Sequence, residues 1–151
     1  MNILGVVNRL KTELQFTQDR IDIEIGDFVI NPPNSPVGNP DLWKSRSAAT
    51  AARRRGYKGG AFKGNYRLGL KTMPKTDYPD AIDSTGKVSK SQIQQVAYSD
   101  TKLGGIHYIS NNRPYSVRLD TGWSTQAPNG ILMHVTNNIQ QIVDNVVKNG
   151  Y

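Results

Sequence analysis

Cysteine is absent from this chain of 151 residues, and no apolar run is long enough to cross a membrane. The first absence excludes a disulfide framework, a thiolate nucleophile and a cysteine-based zinc site, and it fits folding in a reducing compartment. A membrane helix needs about 20 apolar residues, so we expect no membrane partner. The N-terminus MNILGVVNRLKTELQ lacks the charged and then apolar layout of a signal peptide, which predicts an unsecreted, soluble protein.

Apolar residues are scarce throughout the chain. The hydrophobic fraction is 36% and the mean hydropathy is −0.55. We therefore expect part of the surface to stay solvated or to become buried only against a partner. The length corresponds to one domain covering residues 1–151, and the composition favours a domain that forms oligomers.

No set of residues in the sequence indicates an enzyme. His107 and His134 are far apart and lack an HExxH or carboxylate-rich neighbourhood. Asp77, Asp80 and Asp83 share one segment, but the glycine and terminal glutamate of a calcium loop are missing. The serine elbow, the P-loop and the dinucleotide fingerprint are also absent. We predict a non-enzymatic protein without metal or cofactor.

The first thirty residues predict a long amphipathic helix. Apolar residues recur there at spacings of three, four or seven, at Ile3, Val7, Leu10, Leu14, Ile21, Ile25 and Phe28. Asp19, Asp22 and Asp27 are predicted to face away from this stripe, and Pro32 to end the helix near Asn31. Such a helix spans about 45 Å, so part of the stripe is expected to meet another subunit; an ordinary core helix is the alternative.

The remaining elements predict an α+β fold. Alternating apolar residues indicate strands at 62–72 and 105–110, and a short helix capped by Ser89 is predicted at 89–102. A C-terminal helix is predicted at 131–148, with an apolar face of Leu132, Val135, Ile139, Ile142, Val143 and Val146. We expect both terminal helices to pack on a small, mainly antiparallel sheet.

Positive charge is concentrated in one region. Residues 41–75 contain ten Lys or Arg and one Asp, a net charge of +9, whereas the rest of the chain has nine basic and eleven acidic residues. Residues 34–60 predict a long exposed loop with a short helix at 47–55. Aromatic side chains between the basic ones suit phosphate neutralisation and base stacking. The basic loop could equally stay hydrated or pair with an acidic surface of a neighbouring copy.

The segment NNRPYSVRLDTGWSTQAPNG, at 111–130, predicts a rigid corner. Seven of its residues are candidates for this structure or for a subunit interface: Pro114, Tyr115, Leu119, Gly122, Trp123, Gln126 and Pro128. Pro114 can start a helical turn, Tyr115 and Leu119 lie four apart on one face, and Gly122 permits a left-handed exit. Gln126 can satisfy backbone groups in a bend. We expect packing within the subunit, with contact to a neighbouring copy as a secondary role.

Three segments resemble the bacteriophage minor tail, or tail-completion, proteins named after gene product ten of phage HK97. They are SPVGNPDLWKS at 35–45, GYKGGAFKGNYR at 56–67 and YISNNRPYSVRLDTGWSTQAPNGILM at 108–133. They occur in the family's order, and the last is long and specific. Lys63, Tyr66, Arg113 and Asp120 are mild departures from the residues that members often carry. The insertion SRSAATAARRR at 45–55 is richer in arginine than the usual linker, so its role is not inherited from the family.

The resemblance implies a structural subunit of a tailed-phage virion, present in the host cytoplasm during assembly. It would form a ring, six-fold or twelve-fold, in the neck or tail top and join the head connector to the tail. Its partners would be further copies, connector or adaptor and tail proteins, and genomic DNA in the channel. The assembly or DNA-facing residues are predicted to be Trp43, Lys44, Arg53, Arg54, Arg55, Lys58 and Lys63. A free-standing nucleic-acid-binding protein is the main alternative, and a small hydrolase a weaker one.

Overall fold

The computed structural model describes residues 2–31, 34–75 and 81–149. Its elements, in chain order, are α1 (Ile3–Ile30), α2 (Arg46–Arg54), β1 (Tyr66–Leu70), α3 (Lys87–Ser99), β2 (His107–Asn111), α4 (Ser116–Asp120) and α5 (Leu132–Asn149). Short 3-10 helices lie at Pro40–Leu42 and Lys63–Asn65. The predicted α+β fold is confirmed. None of the helices in these ranges combines the length and apolar character that crossing a membrane requires.

The two strands form an antiparallel sheet, in which Tyr66 pairs with Asn111 and Leu70 with His107. The first strand begins later than predicted because residues 63–65 turn tightly as a 3-10 helix. The side-chain amide of Asn65 holds this turn, because its Nδ2 donates to the Ala81 carbonyl at 2.8 Å. The predicted small antiparallel sheet is confirmed.

The core lies between α1, α3, α5 and the sheet, with its buried members at Val29, Ile30, Phe62, Tyr66, Leu68, Ile93, Ala97, Ala127 and Ile131. Close packing of α1 on α3 requires a glycine at position 26, where a Cβ would lie 2.8 Å from Ile93 Cδ1. Helix α5 runs antiparallel to α1, since Phe28 stacks on His134 while Arg20 donates to the Asn149 carbonyl. The two terminal helices therefore pack together over the core.

Helix α1 has the predicted bounds but buries a different face from the predicted one. Its buried residues are Asp19, Asp22, Gly26, Val29 and Ile30. The prediction that Asp19 and Asp22 face away from the core is wrong, because α3 and β2 cover that side of the helix. Pro32, which was expected to end the helix, lies outside the described residues.

Helix α3 is also capped differently from the prediction. Ser89 lies inside the helix and is buried, where its hydroxyl accepts from the Tyr66 amide at 2.9 Å and donates to the Lys63 carbonyl at 2.8 Å. The predicted capping role of Ser89 is therefore wrong. The Asp83 carboxylate caps the helix instead by accepting from the Thr85 and Val88 amides, both at 2.8 Å. Asp77 and Asp80 lie outside the described residues.

The C-terminal helix matches its predicted bounds to within one residue, with Gly150 outside the described part of the chain. Val146 is buried on the predicted apolar face. Leu132 and Ile139, which were expected on the same face, are 65% and 42% exposed. The predicted stripe is thus wider than the surface that the described part of the chain covers.

Candidate interaction surfaces

The first and last of the three motif segments are joined by one side chain. Gln126 Oε1 accepts from the Val37 amide at 3.0 Å, and Gln126 Nε2 donates to the Val37 carbonyl at 2.9 Å. Gln126 satisfies backbone groups as predicted, but these groups lie 89 residues away along the chain and not in the local bend. Because both hydrogen bonds go to one residue, they fix the segment at 35–45 against the corner.

The middle motif segment packs against the first through glycine and aromatic residues. A Cβ at Gly59 would lie 2.2 Å from the Gly38 carbonyl oxygen, so only glycine permits this approach. The rings of Trp43 and Tyr57 meet edge to face, with centroids 5.3 Å apart. Burial raises the pKa of the Tyr57 hydroxyl. Trp43 was predicted to serve assembly or to face DNA. Its contact with Tyr57 leaves it half-buried within this chain.

The corner has the predicted geometry. Tyr115 and Leu119 are half-buried against the core, and Gly122 adopts a left-handed φ of 80°. A Cβ at Gly122 would lie 2.3 Å from the carbonyl oxygen of Pro128, so the turn after α4 closes on the chain beyond it. The Tyr115 ring also lies 6.1 Å from that of Phe62, which connects the corner to the middle segment.

Asp120 connects the corner to the last helix. Its Oδ1 accepts from the Ile131 amide at 3.0 Å and from the Leu132 amide at 2.7 Å, where α5 begins. A carboxylate here satisfies amides that have no partner within the helix and interacts favourably with the helix dipole. The corner therefore sets the direction in which α5 leaves.

The outer side of the corner presents uncovered apolar surface. Trp123 and Val117 are each 73% exposed, and Pro128 is also exposed. The Arg118 guanidinium carbon lies 5.5 Å from the centre of the Trp123 ring. The expectation of mainly internal packing holds for Tyr115 and Leu119 but is wrong for Trp123. The three exposed apolar side chains of the corner, at 117, 123 and 128, are hereafter called the corner patch.

The N-terminal half of α1 extends beyond the rest of the described chain. Gln18 accepts from the Gly104 amide at 2.7 Å, and Arg20 reaches the end of α5. Residues 2–12 are all exposed. The uncovered apolar side chains, each at least 38% exposed, are Ile3, Leu4, Val6, Val7, Leu10, Leu14 and Phe16. Residues 3–16 thus project for about 20 Å, and we name them the projecting half of α1.

The basic region is more ordered than a plain loop. The short helix predicted at 47–55 is confirmed as α2, capped by the Ser45 hydroxyl, which accepts from the Ala48 amide. Ala49 is buried and fixes the inner side of α2. Arg53 forms an ion pair with Asp41, whereas the exposed residues Lys44, Arg54, Arg55 and Lys58 have no ion-pair partner among the described residues.

Lys63 does not belong to this exposed basic surface. It is 5% exposed, and burial lowers the pKa of its ammonium group, with nearby Lys90 adding to the effect. Its position is set by the 3-10 helix before β1, whose carbonyl at position 63 accepts from Ser89. The prediction of an assembly or DNA-facing role for Lys63 is therefore corrected.

A carboxylate and histidine cluster was missed in the sequence because its members are far apart along the chain. His107 Nδ1 lies 2.5 Å from Asp22 Oδ2, and Nε2 lies 3.2 Å from Asp100 Oδ2. Burial raises the pKa of Asp22, while the bond to His107 opposes that rise. No metal site formed by three or more His, Cys, Asp or Glu side chains occurs within the described ranges. The cluster links α1, β2 and the end of α3. His134, by contrast, is exposed and stacks on Phe28.

Comparisons of the chain with protein-family models, curated proteins and solved structures give no match. The three motif segments and the uncovered surfaces are the features of the described chain that bear on its function. These surfaces are the projecting half of α1, the corner patch and the basic face of α2.

Proposed function

We propose that this chain is a structural subunit of a tailed bacteriophage virion. In this proposal it forms a ring in the neck or tail top and joins the head connector to the tail. The three segments that resemble tail-completion proteins support this role, since they are held together through Gln126, Val37 and Tyr57. Three segments that are separate in the sequence thus pack together in the fold.

The observation that carries an assembly role is the projecting half of α1. Leu10 and Leu14 remain about half exposed on a helix whose other half is packed. Contiguous apolar surface of this kind on one face of a helix favours burial against a partner. The role needs no catalytic group, in agreement with the sequence.

A second copy of the chain is the proposed partner for this helix. Uncovered apolar side chains occur on a different part of the molecule, at Val117, Trp123, Leu132, Met133 and Ile139. Contact between two different surfaces repeats from copy to copy and closes into a ring when the rotation permits. Each copy then adds the same apolar contact, so the ring is stabilised by repetition.

Immunogold labelling of virions tests the proposed location. Antibodies against the chain are expected to place gold at the junction of head and tail in particles that contain it. Gold on the capsid or the tail tip, or particles without the chain, would contradict the neck assignment. Labelled particles also distinguish this role from a free-standing nucleic-acid-binding protein, which would be absent from them.

Light scattering of the purified chain tests the proposed contact. Replacing Leu10 and Leu14 by Gln is expected to shift the oligomer towards the monomer. The matched control replaces Asn8 and Thr12, which are exposed on the same half of α1, by Gln and is expected to leave the mass unchanged. Equal effects of both variants would contradict a role for the apolar stripe.

A further inference from the structure

We infer that the outer face of α2 binds the phosphate backbone of nucleic acid, through Arg46, Arg54 and Arg55. The inference does not rest on the proposed ring, because it concerns a surface of the isolated subunit. It also separates the arginines of the basic region, which the sequence alone treats as equivalent.

The two sides of α2 have different environments. Ala49 is buried and Ala52 half-buried, so this side faces the rest of the subunit. Ser47, Thr50 and Arg54 follow at spacings of three and four, which places them together on the outer side. The helix is therefore attached through alanine and presents hydroxyl and guanidinium groups to solvent.

The outer face is basic and only shallowly concave. An open trough of about 580 Å³ runs along it, lined by Arg46, Ser47, Thr50, Ala51, Arg54 and Arg55. Three of these six side chains are arginines, and the other three are small. From Arg46 to Arg54 it covers about 12 Å of helix, enough for the guanidinium groups to reach separate phosphates. Its lining contains no carboxylate.

Arg53 lies outside this trough and has another role. Its guanidinium pairs with Asp41, beside the 3-10 helix at Pro40–Leu42. This ion pair neutralises Arg53 and connects the two ends of the segment that carries α2. The trough arginines have no such carboxylate within the described residues, so their charge is available to a ligand. Arginine binds phosphate through paired N–H donors, which suits it to this task.

An acidic surface on a neighbouring copy is the competing partner. Among the described carboxylates, Glu24 alone has neither a hydrogen bond nor an ion pair. The other nine are already engaged, at Glu13, Asp19, Asp22, Asp27, Asp41, Asp83, Asp100, Asp120 and Asp144. Several of these bonds come from neutral amides, which leave the carboxylate charged, so binding to an acidic chain has to be compared directly with binding to DNA. Nucleic acid supplies phosphates at regular spacing.

Binding of a short fluorescent DNA duplex, measured by anisotropy over a range of salt concentrations, tests the site. The triple variant Arg46→Gln, Arg54→Gln and Arg55→Gln is expected to bind at least tenfold more weakly at low salt. Its plot of log affinity against log salt should lose a slope of about 2 to 3, since each phosphate contact contributes about 0.9. The single variants Arg46→Gln and Arg54→Gln should each lose a slope of about one.

The control removes the same charge elsewhere, by Lys11→Gln, Lys87→Gln and Lys102→Gln, three exposed positions outside the trough. It is expected to retain most of the slope. Equal losses in both triple variants, or no binding of DNA by the unmodified chain at low salt, would overturn the inference. Tighter trough-dependent binding of polyglutamate than of DNA would also overturn it and would indicate an acidic protein partner. None of these outcomes bears on the immunogold test of the virion role.

Discussion

The carboxylate of Asp22 and the imidazole of His107 lie 2.5 Å apart although 85 residues separate them along the chain. The pair joins the buried side of α1 to the sheet. Asp100, at the end of α3, faces the other ring nitrogen, and Asp19 lies one turn away on α1. Three elements are thus connected through ionisable groups in a half-buried position.

This cluster predicts a pH dependence of stability. Burial raises the pKa of Asp22 above its ordinary value of 3.8, so the folded state binds the proton more tightly than the unfolded state. The stability from this group is full below pH 3.8 and is lost as the pH rises through the raised pKa. The free energy of unfolding relative to Asp22→Asn should therefore fall as the pH rises from about 4 towards neutrality. Urea titrations across that range measure it; a difference that rises with pH would contradict the assignment.

Asp83 predicts the opposite dependence. Burial alone would raise its pKa, but hydrogen bonds from Thr85 and from the amides at the start of α3 lower it overall. Its contribution is therefore present above its ordinary value of 3.8 and is lost as the pH falls through the lowered pKa. Asp83→Asn should lower the free energy of unfolding at neutral pH by about 1 kcal/mol, the usual effect of weakening a helix cap. Asp144→Asn, at an exposed position of α5, is the control and should change the free energy of unfolding little.

The joint between Gln126 and Val37 predicts a loss of stability without a change of fold. Gln126→Ala leaves the Val37 amide and carbonyl without their partner, and such a loss costs about 1 to 3 kcal/mol. Chemical unfolding measures the effect, with Gln95→Ala, at an exposed position of α3, as the control. An effect no larger than that of the control would show that the joint contributes nothing measurable.

Gly122 and Gly104 form a matched pair, because their φ angles are 80° and 83°. Alanine at Gly104 meets nothing within 4 Å, so it should cost only the conformational strain, about 1 kcal/mol. At Gly122 the added Cβ would lie 2.3 Å from the Pro128 carbonyl oxygen, so Gly122→Ala should be clearly more destabilising. Thermal unfolding of both variants gives the comparison. Equal midpoints would show that the corner tolerates movement away from Pro128.

Periodicity along the chain predicted the helices and strands well but not their orientation. The bounds of α1 and α5 follow from apolar spacing and helix-ending residues, which are local properties. Which side of α1 is most buried depends on α3 and β2, whereas the apolar stripe is exposed at Leu14 and only half-buried at Ile21 and Ile25. Asp22 is buried against His107, 85 residues away along the chain, and no local pattern shows such a pairing.

The candidate surfaces show the same difference between local features, which the sequence predicts, and distant contacts, which it does not. The left-handed Gly122 and the bonding capacity of Gln126 follow from residue type, whereas the Val37 partner does not. Net charge located the basic region, but it could not distinguish Arg53, paired with Asp41, from the arginines around the trough. Lys63 was misassigned because its neighbours in sequence are basic, while its neighbours in space form the core.

The two halves of α1 differ in the packing that stabilises them. A helical segment of about 14 residues is marginal in water without tertiary packing, whereas residues 18–30 are held by α3 and α5. Amide hydrogens should therefore exchange quickly in the first half and slowly in the second. When a partner covers the apolar side, the first half becomes ordered at that moment, and the entropy lost in ordering weakens each contact. In the proposed ring, the chain would complete its folding only as it joins its neighbours, and each attachment would stay reversible until many have formed.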